Sequence, residues 1–214
     1  MTAWNIEGEE AHIVLVGHFN PKIFHPEWFI RKEIVEEWDY THDEVLHLQD
    51  VSQMVLPGNR KITVLLNQFT ISTPLASEFS ALKDIVSNTY SALRETPVKQ
   101  MGMNYSALIH LRDKACWTRF GSQLAPNEPW MQEIAYLGNM AEEKREAMGV
   151  WEMIMNLPRP DDLIGHIRPK IAVKSLLDYN LTFSINNHVE VKDASAMEMI
   201  QVLDKHWDAS LELA

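Results

Sequence analysis

The stretch from Leu65 to Leu111 constrains the fold most, because it reads as strand, long helix, strand with legible boundaries. Asn67, Phe69 and Ile71 alternate with polar neighbours, the period of a half-buried strand. Thr73 stands at a helix N-cap position and Pro74 at the first helical position, where its missing N–H would have no partner anyway. Leu75, Phe79, Leu82, Val86, Thr89 and Leu93 follow at steps of three and four, with Glu78, Lys83, Asn88 and Arg94 turned away. Such a helix carries an apolar stripe that has to be buried on a sheet. Thr96-Pro97 closes it, since a residue before proline avoids the helical region. Met101, Met103, Tyr105, Ala107, Ile109 and Leu111 then alternate with Gly102, Asn104, Ser106, Leu108 and His110 as a second strand.

The rest of the chain extends this pattern. Ala11, Ile13, Leu15, Gly17 and Phe19 make one face of a first strand that starts at residue 11 and stops at Asn20-Pro21. His25-Pro26 opens a helix of about three turns through Trp28, Phe29, Lys32 and Val35. Residues 44–56 and 60–72 are extended runs joined by Pro57-Gly58-Asn59 into a hairpin. Apolar parity slips from Ile62, Val64 and Leu66 to Leu65, Phe69 and Ile71, which places a bulge near Leu65-Leu66. A short helix over 113–124, a proline-punctuated turn over 125–130 and a solvated loop over 137–145 come next. Residues 148–156 are apolar at nearly every position, as in a strand covered on both faces. Strands over 163–173 and 179–191 lead to Asp193, which caps a last helix burying Ala196, Ile200, Leu203, Trp207 and Leu211.

The expected fold is therefore one α+β domain over 1–214, an antiparallel sheet with two long helices, 74–94 and 193–211, packed on it. Asn67, Phe69, Ile71, Thr73 and Ala76 match Asn187, Val189, Val191, Asp193 and Ala196 at a constant offset. One reading is a duplicated strand-helix-strands-helix unit with halves 11–95 and 98–213; the other is that any strand leading into a capped helix shows this spacing.

Lys and Arg total 19 against 30 Asp and Glu, a net charge of -11. That sign repels phosphates, so nucleic acid is not an expected partner, whereas a basic protein is attracted. A local acidic cluster, Glu36, Glu37, Asp39, Asp43 and Glu44, reads as a solvated edge. The one cysteine, Cys116, excludes an internal disulfide and fits a reducing compartment. No apolar run reaches the length of a membrane-spanning helix and no signal-peptide pattern opens the chain, so a cytoplasmic location is expected.

Phosphate-loop, dinucleotide and paired-cysteine or zincin signatures are missing from the sequence, and no cofactor, metal or catalytic residue is assigned. His188 and Glu190 lie two apart on one strand face, the best metal-like pair, with His18 and His25 flanking the Asn20-Pro21 turn. Two ligands fall short of a site, and exposed strand histidines are the plainer reading. Asp161-Asp162 is the one adjacent acid pair in a tight loop, where carboxylates commonly serve backbone amides. Seven tryptophans exceed what a small core needs, and Trp28, Trp130 and Trp151 are candidates for an interface or for packing at the core edge.

The segments Phe19-Asn20-Pro21-Lys22-Ile23-Phe24-His25-Pro26-Glu27-Trp28-Phe29, Thr96-Pro97-Val98-Lys99-Gln100-Met101-Gly102-Met103-Asn104 and Leu124-Ala125-Pro126-Asn127-Glu128-Pro129-Trp130 carry a resemblance. They resemble the FNPxxFxPxWF, TPVxxxGxN and LAPxEPW landmarks of a sporadically distributed family of uncharacterised bacterial proteins. The resemblance implies a bacterial, cytoplasmic protein and carries over no catalytic residue. Two functions are expected from these observations. The first is a non-catalytic protein-binding or regulatory protein, self-associating or recognising a basic effector or toxin of a bacterial defence system. The second is an enzyme whose site is assembled from the strand residues His110, Arg112, Arg168, His188 and Glu190. Lys61, Lys99, Arg112, Lys114 and Arg119 are the residues that a nucleic-acid surface would need.

Overall fold

The computed structural model describes residues 3–41, 44–133 and 149–212. In chain order the elements are β1 (Trp4–Gly17), α1 (Pro26–Arg31), β2 (Leu46–His47), β3 (Val51–Leu56), β4 (Arg60–Leu65), β5 (Gln68–Thr73), α2 (Phe79–Ala92) and β6 (Val98–Leu111). They are followed by α3 (Lys114–Leu124), α4 (Glu128–Glu133), β7 (Glu152–Ile154), β8 (Gly165–Ser175), β9 (Asn180–Glu190) and α5 (Ala196–Glu212). The strands form one nine-stranded antiparallel sheet in the order β2-β3-β4-β5-β1-β6-β9-β8-β7, so the protein is α+β. None of the described helices is long and apolar enough to cross a membrane. Contacts divide the chain into two compact units, one from the described parts of Met1–Gly8, Ala107–Met155 and Lys170–Phe183, the other from Glu9–Ser106, Asn156–Pro169 and Ser184–Ala214.

In the larger unit, alternation in β1 buries Ala11, Ile13 and Leu15, and the antiparallel register sets Ile13 opposite Ile71 and Leu15 opposite Phe69. The same face continues into β4, where Ile62 faces Ile71 and Val64 faces Phe69. α2 covers this face with Phe79, Leu82, Ile85, Val86, Thr89 and Tyr90, and the Tyr90 ring meets Phe69 edge-on at 5.4 Å. Burying each such side chain stabilises the fold by about 1.5–3 kcal/mol. α5 packs beside α2: Trp207 is fully buried and its indole N–H donates to the Phe79 carbonyl at 3.0 Å. Ser87 bonds Asp204 at 2.9 Å along the same seam. Asn187 on β9 donates to Ser210 of α5 at 2.7 Å, so the helix is fixed to the sheet by a buried polar bond as well as by packing.

The structure departs from the expected elements at several points. Thr73 ends β5 and does not cap a helix that starts at Pro74: its hydroxyl donates to the Gly58 carbonyl at 3.1 Å, a single 3₁₀ turn intervenes, and α2 begins at Phe79. Leu75 is accordingly exposed. Asp193 does not cap α5 either. Ser195 accepts from the Glu198 N–H at 3.1 Å as the cap, while the Glu198 carboxylate reaches back past it to accept from the Lys192 and Asp193 N–H groups at 3.2 and 2.7 Å, a variant of the capping box. The parity slip at Leu65-Leu66 marks a turn between two antiparallel strands and not a bulge. Residues 44–56 are likewise a small hairpin, β2 against β3. α1 spans six residues, because Glu33 takes a positive φ of 55 just beyond it. The first strand starts at Trp4, ahead of residue 11.

In the smaller unit, Leu111, Cys116 and Leu181 form a core with Ile109, Trp117, Phe120, Ile171 and Tyr179 around it. Asp113 caps α3 through the Cys116 N–H at 2.8 Å; that bond and the neighbouring Arg112 hold its carboxyl down at about 2. The expected turn at 125–130 contains the start of α4, which carries Pro129 in its first turn. The expected double-covered strand shrinks to β7, paired with β8 from Glu152 opposite Ala172 to Ile154 opposite Lys170. Trp151 is 69% exposed there and Met155 52%, so this apolar run is surface. The loop expected over 137–145 lies outside the described residues.

Candidate functional site

In the larger unit the polar side chains converge at one place. Arg159, from the proline-bounded stretch Leu157-Pro158-Arg159-Pro160, has a side chain only 3% exposed. Its Nε and Nη2 donate to the two oxygens of Asp161 at 2.8 and 2.7 Å, a bidentate pair, while Nη1 donates to Asn187 Oδ1 and to the His188 carbonyl at 3.1 Å. Arg159 holds the Asp161 carboxyl below its usual range. His206 Nδ1 stands 3.5 Å from Asp161 Oδ2, and burial keeps this imidazole below its ordinary value despite the carboxylate. These groups line a cleft of about 430 Å³ with Pro160, Ile167, Ala209 and Glu212. Arg159 and both Asp161 oxygens are consumed by each other, and Asn187 and Ser210 by their mutual bond, so the cleft's wall is mostly self-satisfied.

His188 stacks on His166 across β8 and β9, with centroids 4.8 Å apart and planes 21° from parallel. Burial lowers both imidazoles, and Arg168 and Arg159 lower them further while Glu190 opposes this. Of the strand candidates, Arg168, His188 and Glu190 therefore share one neighbourhood. His110 and Arg112 belong to the other unit, where His110 Nδ1 meets Asn180 Oδ1 at 2.8 Å and Arg112 pairs with Asp113 at 2.8 Å. His18 lines a cleft of about 510 Å³ with Asn20, Phe24 and residues 92–97, and His25 caps α1. Among the described residues no group of three or more His, Cys, Asp or Glu is placed to hold a metal ion. Asp162 of the acid pair is exposed. Sequence reasoning missed Arg159, His166 and His206; an arginine between two prolines, two residues before an aspartate, is the signal that could have pointed to the first.

The smaller unit presents apolar surface instead. Trp4, Ile109, Leu111, Phe120, Ile171, Leu181 and Phe183 line a cleft of about 310 Å³ without one polar side chain among them. Trp4 is 51% exposed, and Trp130, Ile154, Leu176 and Leu177 of the same unit are also exposed. Lys61 and Lys99 lie in the larger unit and Arg112, Lys114 and Arg119 in the smaller, with Arg112 already paired. No family model matches the chain, and no curated protein aligns with it.

Proposed function

We propose that the protein is a non-catalytic protein-binding protein whose smaller unit takes up apolar side chains of a partner. The observation that carries this reading is the all-apolar cleft walled by Trp4, Phe120, Leu181 and Phe183. A concave apolar site that includes an exposed tryptophan has the composition of an interface core, where buried aromatic anchors dominate the binding energy. The net charge of -11 favours a basic partner, and a basic toxin or effector is such a partner. A second copy of the chain would bring the same charge and has repulsion to overcome. Duplex nucleic acid is disfavoured by the same sign.

The test compares wild type with a Trp4→Ser/Phe183→Ser variant as bait in extract of the native host. The expected result is a partner retained in stoichiometric amount by wild type and lost with the variant, at unchanged melting temperature. Equal retention by both would remove the cleft from the reading. The second reading, an enzyme, draws on His188, Arg168 and Glu190 sharing a neighbourhood beside stacked His166. Turnover of a substrate that is abolished in His188→Ala and kept in the Trp4→Ser/Phe183→Ser variant would put it first.

A further inference from the structure

From Glu33 to Asn59 the sequence holds seven acids, Glu33, Glu36, Glu37, Asp39, Asp43, Glu44 and Asp50, and no lysine or arginine. Most of the net charge of -11 therefore sits in one eighth of the chain, all of it in the larger unit. The same stretch carries a run of ring contacts. Trp38 meets Tyr40 at 5.4 Å between centroids and 44° between planes. Tyr40 meets His25 at 6.3 Å and 79°, and His25 meets His47 at 5.3 Å and 81°. Residues 36–41 have neither helix nor strand, and Trp38 and Tyr40 are only half-buried there, while Glu36, Glu37, Asp39, Glu44 and His47 are exposed. Both rings thus keep part of their surface open in a segment whose exposed side chains are mostly acids, with Trp38 tilted against Tyr40 and Tyr40 nearly perpendicular to His25.

Electron-rich ring faces attract a cation, and nearby carboxylates add to that attraction without competing for the same surface. An ammonium or guanidinium on an aliphatic stem also gives the rings an apolar chain to cover. We propose that the Trp38–Tyr40–His25–His47 cluster receives a lysine or arginine side chain from an extended basic segment of a partner protein. This site lies apart in sequence from the apolar cleft of the smaller unit and stands whether or not that cleft is occupied. Charge complementarity selects the occupant: a second copy brings the same net charge of -11, and an acidic or phosphorylated segment is repelled.

The experiment titrates the full chain with a fluorescein-labelled lysine-glycine repeat peptide and, as control, its glutamate-glycine counterpart. Wild type binds the lysine peptide, more weakly as salt rises, and ignores the glutamate peptide. Trp38→Leu/Tyr40→Leu, which keeps every charge, lowers affinity on the order of tenfold. Trp38→Phe/Tyr40→Phe, which keeps the rings, restores most of it, and this rescue holds the test open if the leucine variant folds poorly. Trp4→Ser/Phe183→Ser binds the peptide as wild type does, which separates this site from the cleft. Equal affinity in wild type and the leucine variant would overturn the proposal in favour of diffuse attraction to the acids. Absence of binding by wild type, or loss in the Trp4→Ser/Phe183→Ser variant, would overturn it as well.

Discussion

Arg159 shows how far one side chain can organise a neighbourhood. Its guanidinium is almost fully buried and makes four hydrogen bonds, two of them to Asp161, so removing it leaves the Asp161 carboxylate with only the Leu163 N–H and His206 nearby and takes the described partner from Asn187 Oδ1. Arg159→Met should cost about 3–5 kcal/mol in urea melts, the range for breaking one side of a buried pair. Arg159→Lys should recover little, because a lysine cannot reproduce the planar two-pronged contact. A loss below about 1 kcal/mol would show the pair to be worth no more than a surface bridge. Phe79 is the apolar counterpart: it is buried edge-on against Tyr105 at 6.2 Å. Phe79→Ala should cost about 3–5 kcal/mol by the same measurement. Asp161 was legible in the sequence as a turn acid, and it does accept from the Leu163 N–H at 3.2 Å. Its arginine was not, because bidentate pairing depends on the local path of the chain between Pro158 and Pro160, which residue spacing does not encode.

Elements were legible where the period was long and the punctuation chemical. Pro57-Gly58-Asn59 gives the hairpin it should, with positive φ of 75 at Gly58 and 53 at Asn59. The break at Leu65-Leu66 was visible but ambiguous. In the β4–β5 ladder Ile62 pairs with Ile71 and Val64 with Phe69, so buried positions change from even to odd numbers across the turn. A bulge changes parity in the same way, and Leu66-Asn67 contains no glycine to favour the turn. Helix starts were misplaced for a related reason, since Thr73 and Asp193 are good caps by type but stand where the chain is still leaving the sheet. The α5 start offers a clean test. Ser195→Ala should lower stability by about 1 kcal/mol, as loss of a capping hydroxyl does. Asp193→Ala, which removes an exposed side chain whose backbone N–H alone is engaged, should change it by less than about 0.5 kcal/mol. Equal effects in denaturant melts would return the cap to Asp193. At Gly165, φ is 149 and an added Cβ would overlap the His188 carbonyl oxygen. Gly165→Ala should therefore destabilise by about 1–3 kcal/mol, the usual cost of overpacking.

At the scale of the molecule, the sign of the charge was evident from composition, whereas the pairing of distant histidines was not, because His166 meets His188 only once β8 lies beside β9. That pairing shapes how the fold responds to acid. His12, His166, His188 and His206 are all held below the ordinary 6.5, by burial first in each case. Around the stack, Arg168 and Arg159 add to the lowering and Glu190 opposes it. A group with a lowered folded value binds its proton more readily in the unfolded chain, so acidification pulls the equilibrium toward unfolding. The stability is complete above 6.5 and declines as pH falls from there through the folded values, after which this contribution levels off. A second decline belongs to Asp113, held at about 2, and to Asp161, whose stabilisation fades as pH drops below the ordinary carboxylate value of 3.8. Urea midpoints should therefore be flat just above neutrality, fall on the acid side of 6.5, and fall again in the carboxylate range. His166→Gln/His188→Gln removes two of the four histidines and should flatten the first decline while leaving the second in place. A double variant whose midpoint follows the wild-type curve through the first window would show that His12 and His206, not the stacked pair, set the acid response.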